Sequence, residues 1–170
     1  MSSRHPTSPV FLTVPGQTGR LCLWHFPARN NLIEAAAAGC NAIVTLQGIL
    51  EDPNIKDLLP STCQETGMEW IQTDWWKNFF QHAGAQGHPA IIKLIDQIAE
   101  RVRKGQSVLL HCAAGVHRTG MCGYGVLRRL GLTRVETLEF IKQLRITTFE
   151  NCGMQRFDEM ERKCKSWFGN

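Results

Sequence analysis

The chain has 170 residues, of which 43% are hydrophobic and 20% charged, and its formal net charge is +4 at pH 7. This length suits a single domain with its own core, and the composition is typical of a soluble globular protein. No stretch approaches the ~18 consecutive apolar residues that a membrane span needs, so we expect no membrane anchor. The basic residues are spread along the chain, which favours anionic ligands only mildly and predicts no nucleic-acid partner.

The first ten residues, MSSRHPTSPV, carry prolines and polar side chains where a secretory signal would have an apolar run. We therefore expect a cytoplasmic protein, with the nucleus as the alternative, in which 1–9 is a flexible arm and 10–170 is a single domain. The seven cysteines lack the paired spacing of zinc sites, so we expect mostly buried thiols and neither a metal nor a cofactor.

Hydrophobic patterning predicts strands alternating with helices along the whole chain. The predicted strands are 10–14, 20–26, 41–47, 68–73 and 107–111. The predicted helices are 28–39, 89–105, 119–131, 133–145 and 153–168, with a helical or irregular crossover over 54–67 and a long loop over 74–88. Thr133 and Glu136 are predicted to form a capping box. This order predicts an α/β fold with a central, mainly parallel sheet and helices on both faces.

The segment SVLLHCAAGVHRTGMCGYG runs from the last predicted strand into a helix. Residues 112–118 would form a tight turn whose backbone amides converge at the helix N-terminus, which is an anion-binding arrangement. Gly115 permits unusual backbone angles, and the small Ala113 and Ala114 leave the concavity open. Arg118 adds a planar guanidinium that suits bidentate contact with phosphate oxygens. The segment therefore predicts a phosphate-binding loop between the last strand and the helix that follows.

Cys112 opens this loop. The helix dipole, the converging amides and the nearby arginine all favour the thiolate over the thiol, so we expect a nucleophile at neutral pH. A loop that only held phosphate would need no reactive thiol at its base. The cysteine therefore indicates covalent catalysis.

The run His111-Cys112-Ala113-Ala114-Gly115-Val116-His117-Arg118-Thr119-Gly120 resembles the His-Cys-x-x-Gly-x-x-Arg-Ser/Thr-Gly signature of cysteine-dependent protein tyrosine phosphatases. Every specified position is present, and the resemblance extends through the element order over 10–168. The chain is far shorter than the large tyrosine-specific domains and lacks their phosphotyrosine-recognition loop and Trp-Pro-Asp motif. It is therefore similar to the small, atypical dual-specificity branch of this superfamily.

The resemblance also implies roles around the nucleophile. Thr119 would hydrogen-bond the sulfur and help it leave, in addition to capping the helix, and His111 would order the loop without acting as a base. Gln155 would help to place water, although a surface residue at a helix start is an equally good interpretation. The residues expected to contact substrate are Ala113, Ala114, Gly115, Val116, His117 and Gly120. His117 has the further interpretation of an exposed bystander.

Phosphate transfer to a thiolate requires an acid that protonates the leaving oxygen and later activates water. Asp74 directly follows the strand 68–73, so in a parallel sheet it lies at the same edge as Cys112. Its position 38 residues before Cys112 also matches the loop in which the family carries its acid. The other acidic residues before the cysteine fall in the predicted helix or in an earlier connection: Asp52, Asp57, Asp96 and Glu100. We expect one of the two tryptophans after Asp74 to be core and the other to line the pocket rim.

The predicted activity is metal-independent hydrolysis of phosphate monoesters, on phosphotyrosine and also phosphoserine or phosphothreonine in a protein partner. A phosphoinositide or RNA 5′-phosphate substrate stays open, although the neutral loop residues argue against very acidic lipids. A catalytically silent phospho-binding module and a sulfur-transfer or arsenate-reducing protein are the alternatives from other classes. Cys122 and Cys152 are either inert core thiols or partners for oxidised Cys112 in a disulfide.

Overall fold

The computed structural model describes residues 6–81 and 88–169. A five-stranded sheet with the order β1-β2-β5-β3-β4 lies at the centre. Its strands are β1 (Leu12–Thr13), β2 (Arg20–Trp24), β3 (Ala42–Thr45), β4 (Glu69–Gln72) and β5 (Ser107–His111). Only β1 and β2 pair in antiparallel fashion, and the other neighbours are parallel. The prediction of a mainly parallel sheet is therefore confirmed.

Eight helices surround the sheet in the described part of the chain. They are α1 (Arg29–Ala37), α2 (Pro53–Thr66), α3 (Trp75–Gln81), α4 (Pro89–Arg103), α5 (His117–Arg129), α6 (Arg134–Leu144), α7 (Ile146–Cys152) and α8 (Met154–Phe168). None of those traced within 6–81 and 88–169 is long and apolar enough to pass through a bilayer.

The two faces of the sheet support separate hydrophobic cores, because successive side chains of a strand point to opposite faces. In β5, Val108 and Leu110 join the core formed with α4, α5, α6 and α8. Leu109, between them, joins the core formed with α1 and α2. All five residues of β5 are buried, so the strand that leads into Cys112 is covered on both faces.

Three of the helices that cover the sheet form for clear sequence reasons. In α4, buried apolar residues recur at helical spacing after Pro89 at the first turn, as the sequence predicts. The capping box of α6 is present: the Glu136 N–H donates to Thr133 Oγ1 at 3.2 Å, and the Thr133 N–H donates to Glu136 Oε2 at 2.7 Å. The segment 54–67 is a regular helix that Asp52 caps by accepting from the Asn54 N–H at 2.8 Å.

Several boundaries differ from the sequence prediction. The predicted loop 74–88 contains helix α3, because Trp75 and Phe79, one helical turn apart, both pack into the larger core. Helix α7 was not predicted, since its first three residues are β-branched and disfavour a helix. Helix α5 begins two residues earlier than predicted, at His117. Residues 1–5 of the expected arm and 82–87 of the expected loop lie outside the described residues.

Candidate active site

The carbonyl groups of the loop after β5 are hydrogen-bonded to the surrounding scaffold. Ala113 O accepts from the Phe26 N–H at 2.9 Å. Arg145 Nη1 donates to Ala114 O at 3.2 Å and to Gly115 O at 2.8 Å, and Thr148 Oγ1 donates to Gly115 O at 2.5 Å. In the described part of the chain no acceptor is found for the N–H groups of 113–116. The loop therefore resembles an anion-binding nest, because its carbonyl groups are held by hydrogen bonds and its N–H groups are left for a ligand.

The loop passes very close to the end of β2 at Gly115. This glycine has a φ of +69°, and a Cβ atom placed on it would lie 2.3 Å from the carbonyl oxygen of Trp24. A side chain there would collide with backbone that cannot move without opening the β2–β5 pair. The position consequently requires glycine both for its backbone angle and for space.

Cys112 lies at the base of the loop and is only 3% exposed. Its sulfur accepts a hydrogen bond from Thr119 Oγ1 at 3.0 Å, and Thr119 is itself fully buried on the first turn of α5. A hydroxyl that donates to the sulfur favours its anionic form. The contact predicted from the resemblance is thus present in the structure.

His111 connects the nucleophile to the sheet. Its Nδ1 is 3.1 Å from Cys112 O, and its Nε2 is 2.7 Å from Thr45 Oγ1 on β3. Because a carbonyl can only accept, Nδ1 carries the proton, and Nε2 accepts from the Thr45 hydroxyl. Complete burial lowers the pKa of His111 to about 4. The ring is therefore neutral at physiological pH, and its two hydrogen bonds connect the Cys112 carbonyl to β3.

Arg118 forms an ion pair that the sequence analysis did not anticipate. Its Nη1 donates to both oxygens of Glu51, at 2.8 and 2.9 Å, and the arginine side chain is 11% exposed. Glu51 follows β3 and also accepts from the Gly48 N–H at 2.6 Å through Oε2. Among the described residues only Nη1 has an acceptor, so Nε and Nη2 keep their hydrogens for a second, bidentate partner.

Asp74 directly follows β4, at the sheet edge where Cys112 follows β5, as predicted from the parallel topology. Its Oδ1 accepts from the Lys77 N–H at 3.2 Å at the start of α3. Its Oδ2 would lie 2.5 Å from a Cβ atom on Gly48. Asp74 and Glu51 line the same hollow of about 690 Å³. Through Gly48, the candidate acid is in contact with the segment that holds Arg118.

The two tryptophans after Asp74 differ in burial. Trp75 is fully buried in the larger core. Trp76 is half-buried and stacks on Phe80, with ring centroids 5.2 Å apart. Trp76 also borders a small hollow that includes Gln155. Trp75 is therefore the core residue of the pair, and the rim position stays a prediction for Trp76.

The other residues expected to contact substrate differ in their exposure. Ala113, Ala114 and His117 are exposed at the loop, whereas Val116 is half-buried. Loss of hydration at the His117 ring, together with the charges of Arg156 and Arg118, lowers the pKa of His117.

Gly120 is buried inside α5, and a Cβ atom on it would lie 2.8 Å from the Cys152 sulfur. The structure thus gives Gly120 a packing role between α5 and α7. Gln155 is exposed near the start of α8.

The six other cysteines are free and buried. Burial raises the pKa of Cys152 to about 12 and that of Cys122 further still. Both thiols are therefore protonated and poorly nucleophilic at neutral pH. The structure favours inert core thiols at these two positions, although both lie in elements that pack beside the phosphate-binding loop.

Two residues of the site were missed by the sequence analysis. Glu51 lies in the connection after β3, at the same sheet edge as Asp74 and Cys112, so the parallel topology offered a signal for it. Arg145 stands between α6 and α7, and no local pattern in the sequence points to the loop carbonyls that it binds. Its role follows only from the tertiary structure.

Comparison with known proteins agrees with this geometry. Residues 54–139 match the model of the tyrosine phosphatase family, which is half of the chain. Among solved structures, Tk-PTP in its active form is 24% identical, with a TM-score of 0.63 over 92% of this chain and 96% of its own. Kinase associated phosphatase, with its catalytic cysteine replaced by serine, is 11% identical, with a TM-score of 0.69 over 98% of this chain and 99% of its own.

A third solved structure is the core catalytic domain of the PP-IP phosphatase SIW14 from S. cerevisiae, in complex with citrate. It is 15% identical, with a TM-score of 0.59 over 93% of each chain. No curated protein sequence matches. The chain belongs to the tyrosine phosphatase family. Its fold is that of the small, atypical dual-specificity-like branch of the cysteine-based superfamily.

Proposed function

We propose that the protein hydrolyses phosphate monoesters through a phosphocysteine intermediate, with phosphotyrosine in proteins as its main substrate and phosphoserine or phosphothreonine as further ones. One observation carries the proposal: the Cys112 sulfur lies beneath a loop with unpaired amides, held by Thr119 at 3.0 Å. A nucleophile and an oxyanion cradle thus meet at one point.

In the first step, the Cys112 thiolate attacks phosphorus, and the bond between phosphorus and the leaving oxygen breaks. The loop amides of 113–116 and the free edge of Arg118 balance the charge on the three equatorial phosphate oxygens. Asp74, protonated, gives its proton to the leaving oxygen. A tyrosine, serine or threonine hydroxyl departs, and phosphate stays bonded to sulfur.

In the second step, a water molecule attacks the phosphocysteine. Asp74, now ionised, accepts a proton from that water, and the sulfur leaves as a thiolate. The Thr119 hydroxyl stabilises this leaving group by donating to it. Inorganic phosphate is released, and the enzyme returns to its first state without a metal or a cofactor.

The surroundings of the loop support a protein substrate. Ala113, Ala114 and Val116 are uncharged, so the loop itself adds no lysine of the kind that suits very acidic lipid headgroups. Trp76 and Phe80, which stack on each other in the helix that follows Asp74, offer an aromatic surface that would fit an aryl ester. A non-protein substrate is the competing possibility, since a protein of the same fold is described as a PP-IP phosphatase.

Phosphate release in the presence of a chelator tests this proposal. The substrates are phosphotyrosine and phosphothreonine peptides, a phosphoinositide, an inositol pyrophosphate and an RNA with a 5′-phosphate, with Cys112→Ser as the inactive control. We expect the phosphotyrosine peptide to be turned over fastest, and all turnover to vanish in Cys112→Ser. Faster turnover of the lipid, the inositol pyrophosphate or the RNA would contradict the proposal that the substrate is a protein. Binding of tungstate without turnover of any substrate would indicate a silent phospho-binding module.

A further inference from the structure

A small hollow of about 210 Å³ lies between α3, α5 and the first turns of α8. Its lining combines aromatic, polar and charged side chains. They are Trp76, Phe79, Phe80, Met121, Gln155, Arg156 and Glu159. None of them has a role in the two chemical steps proposed above.

Arg156 is the cation of this hollow, and it is half-buried. Its one described hydrogen bond runs from Nη1 to Cys152 O at 3.3 Å. Within 6–81 and 88–169, no carboxylate lies within ion-pair distance of it, and this includes the neighbouring Glu159. By contrast, Arg118 and Arg128 are both paired with glutamates. The Arg156 guanidinium therefore has donors to offer to an external anion.

Contacts of described residues place Arg156 beside the phosphate-binding loop. Cys152, whose carbonyl Arg156 binds, packs against Gly120 of α5. The Cys152 sulfur is also 3.8 Å from the carbonyl oxygen of His117, next to Arg118 in the chain. A ligand whose phosphate sits in the loop would thus bring its neighbouring groups towards Arg156.

The opposite wall of the hollow is aromatic. Trp76 and Phe80 stack with an interplanar angle of 19°, and Phe80 is 67% exposed. Both rings belong to helix α3, which begins directly after Asp74. An aromatic platform beside an unpaired arginine suits a polypeptide that carries a negative charge near its phosphorylated residue.

We propose that Arg156, together with the Trp76–Phe80 platform, forms a specificity subsite for an anionic side chain next to the scissile phosphotyrosine. The anion is a carboxylate or a second phosphate on the same peptide. This inference rests on the proposed protein phosphatase function and specifies which phosphopeptides that function selects. It assigns no role to Arg156 in the bond-breaking steps.

The test compares two phosphotyrosine peptides that differ only in the flanking residues, glutamates in one and glutamines in the other. A third peptide carries a phosphothreonine in place of one glutamate, which separates the carboxylate from the phosphate. Wild type is expected to prefer the acidic peptide, mainly through a lower KM. Arg156→Gln should reduce the ratio of the two kcat/KM values about tenfold, the size expected for losing a charged hydrogen bond.

Arg162→Gln is the matched control, since it removes the same charge from an exposed position on the same helix. It should keep the wild-type ratio. An equal loss of the ratio in both variants, or an unchanged ratio in Arg156→Gln, would overturn the subsite. Phe80→Ala, an exposed position that threatens folding little, should raise the KM of both phosphotyrosine peptides. An unchanged KM would remove the aromatic platform from the proposal.

An aryl phosphate without a peptide separates the two proposals. If wild type hydrolyses it but neither peptide, the protein substrate and the subsite both fail. If both peptides are hydrolysed at equal kcat/KM, only the subsite fails, and the proposed function stands.

Discussion

Arg118 donates from a single nitrogen, Nη1, to both carboxylate oxygens of Glu51. A guanidinium held in this way cannot rotate about its terminal bonds without breaking two charge-assisted hydrogen bonds. Its remaining edge, Nε and Nη2, is the fork that matches two phosphate oxygens. We therefore interpret Glu51 as a positioning residue that acts on phosphate through Arg118.

Replacing Glu51 with glutamine should weaken catalysis without unfolding the protein. The amide of Glu51→Gln keeps the size of the side chain but loses one of the two acceptors, so Arg118 becomes less ordered. We expect kcat/KM for an aryl phosphate to fall about tenfold, the usual cost of a charged hydrogen bond. Tungstate should inhibit the variant less strongly.

The control is Glu65→Gln, which breaks the exposed ion pair with Arg29 on the other core. It should leave both measurements unchanged. Wild-type tungstate inhibition in Glu51→Gln would show that Arg118 needs no help from the glutamate.

We expect Arg145 to hold the phosphate-binding loop in the conformation that binds phosphate. Because it binds the carbonyls of Ala114 and Gly115, its loss frees the loop amides to turn away from the phosphate. We expect Arg145→Met to lower kcat about a hundredfold, which is the order of effect of misplacing a reacting group by about an ångström. Lys142→Met, in the preceding helix, is the matched control.

Partial recovery in Arg145→Lys would agree with this role, since lysine keeps the charge and the donors but has a shorter side chain. If Arg145→Met kept the wild-type kcat, the loop would be shown to hold its shape without the arginine. Circular dichroism of each variant verifies that the comparison is made on folded protein.

Asp74→Asn should slow the reaction most for esters with poor leaving groups. An oxygen that leaves readily needs little protonation, so p-nitrophenyl phosphate is affected less than phenyl phosphate or a phosphotyrosine peptide. We expect a loss of about 10²- to 10⁴-fold for the poor leaving groups, the normal range for a general acid.

Asp57→Asn, on α2, is the control, and it should retain full activity with every ester. Equal losses in Asp74→Asn for good and poor leaving groups would contradict the assignment of the acid. Glu51, which lines the same hollow, would then be the next candidate.

The buried His111 should make stability depend on pH. The unfolded chain protonates this histidine near its ordinary pKa of 6.5, whereas the folded chain does so only near pH 4. The unfolded state therefore binds more protons between these values, so the full stability present above pH 6.5 is lost as the pH falls. We expect the free energy of unfolding to drop by about 2 kcal/mol between pH 7 and pH 5 from this residue alone.

Urea unfolding at a series of pH values measures this effect. In His111→Gln the protein should be less stable at pH 7, and the fall in stability towards pH 5 should be correspondingly smaller. A wild-type slope in His111→Gln would mean that other groups cause the dependence.

The sequence predicted the fold and the centre of the site well for physical reasons. The alternation of apolar strands and helices predicts a parallel sheet. From that topology alone, Asp74 and Cys112 are expected at the same edge of the sheet. The loop motif is local, so roles for Thr119 and His111 could be assigned from its resemblance to the family signature. Helix α3 could not be predicted from the local sequence, because its stability comes from burying Trp75 and Phe79 against distant parts of the chain. Arg145 and Arg156 act through tertiary contacts that no short pattern encodes.

The nucleophile follows β5, which lies between two parallel neighbours and is buried along its entire length. The amide hydrogens of such a strand exchange with solvent only when most of the protein opens, whereas those of peripheral helices exchange in smaller fluctuations. The base of the phosphate-binding loop therefore belongs to the last part of the molecule to come apart on heating or in denaturant. Smaller fluctuations of the peripheral helices can thus leave the nucleophile in place.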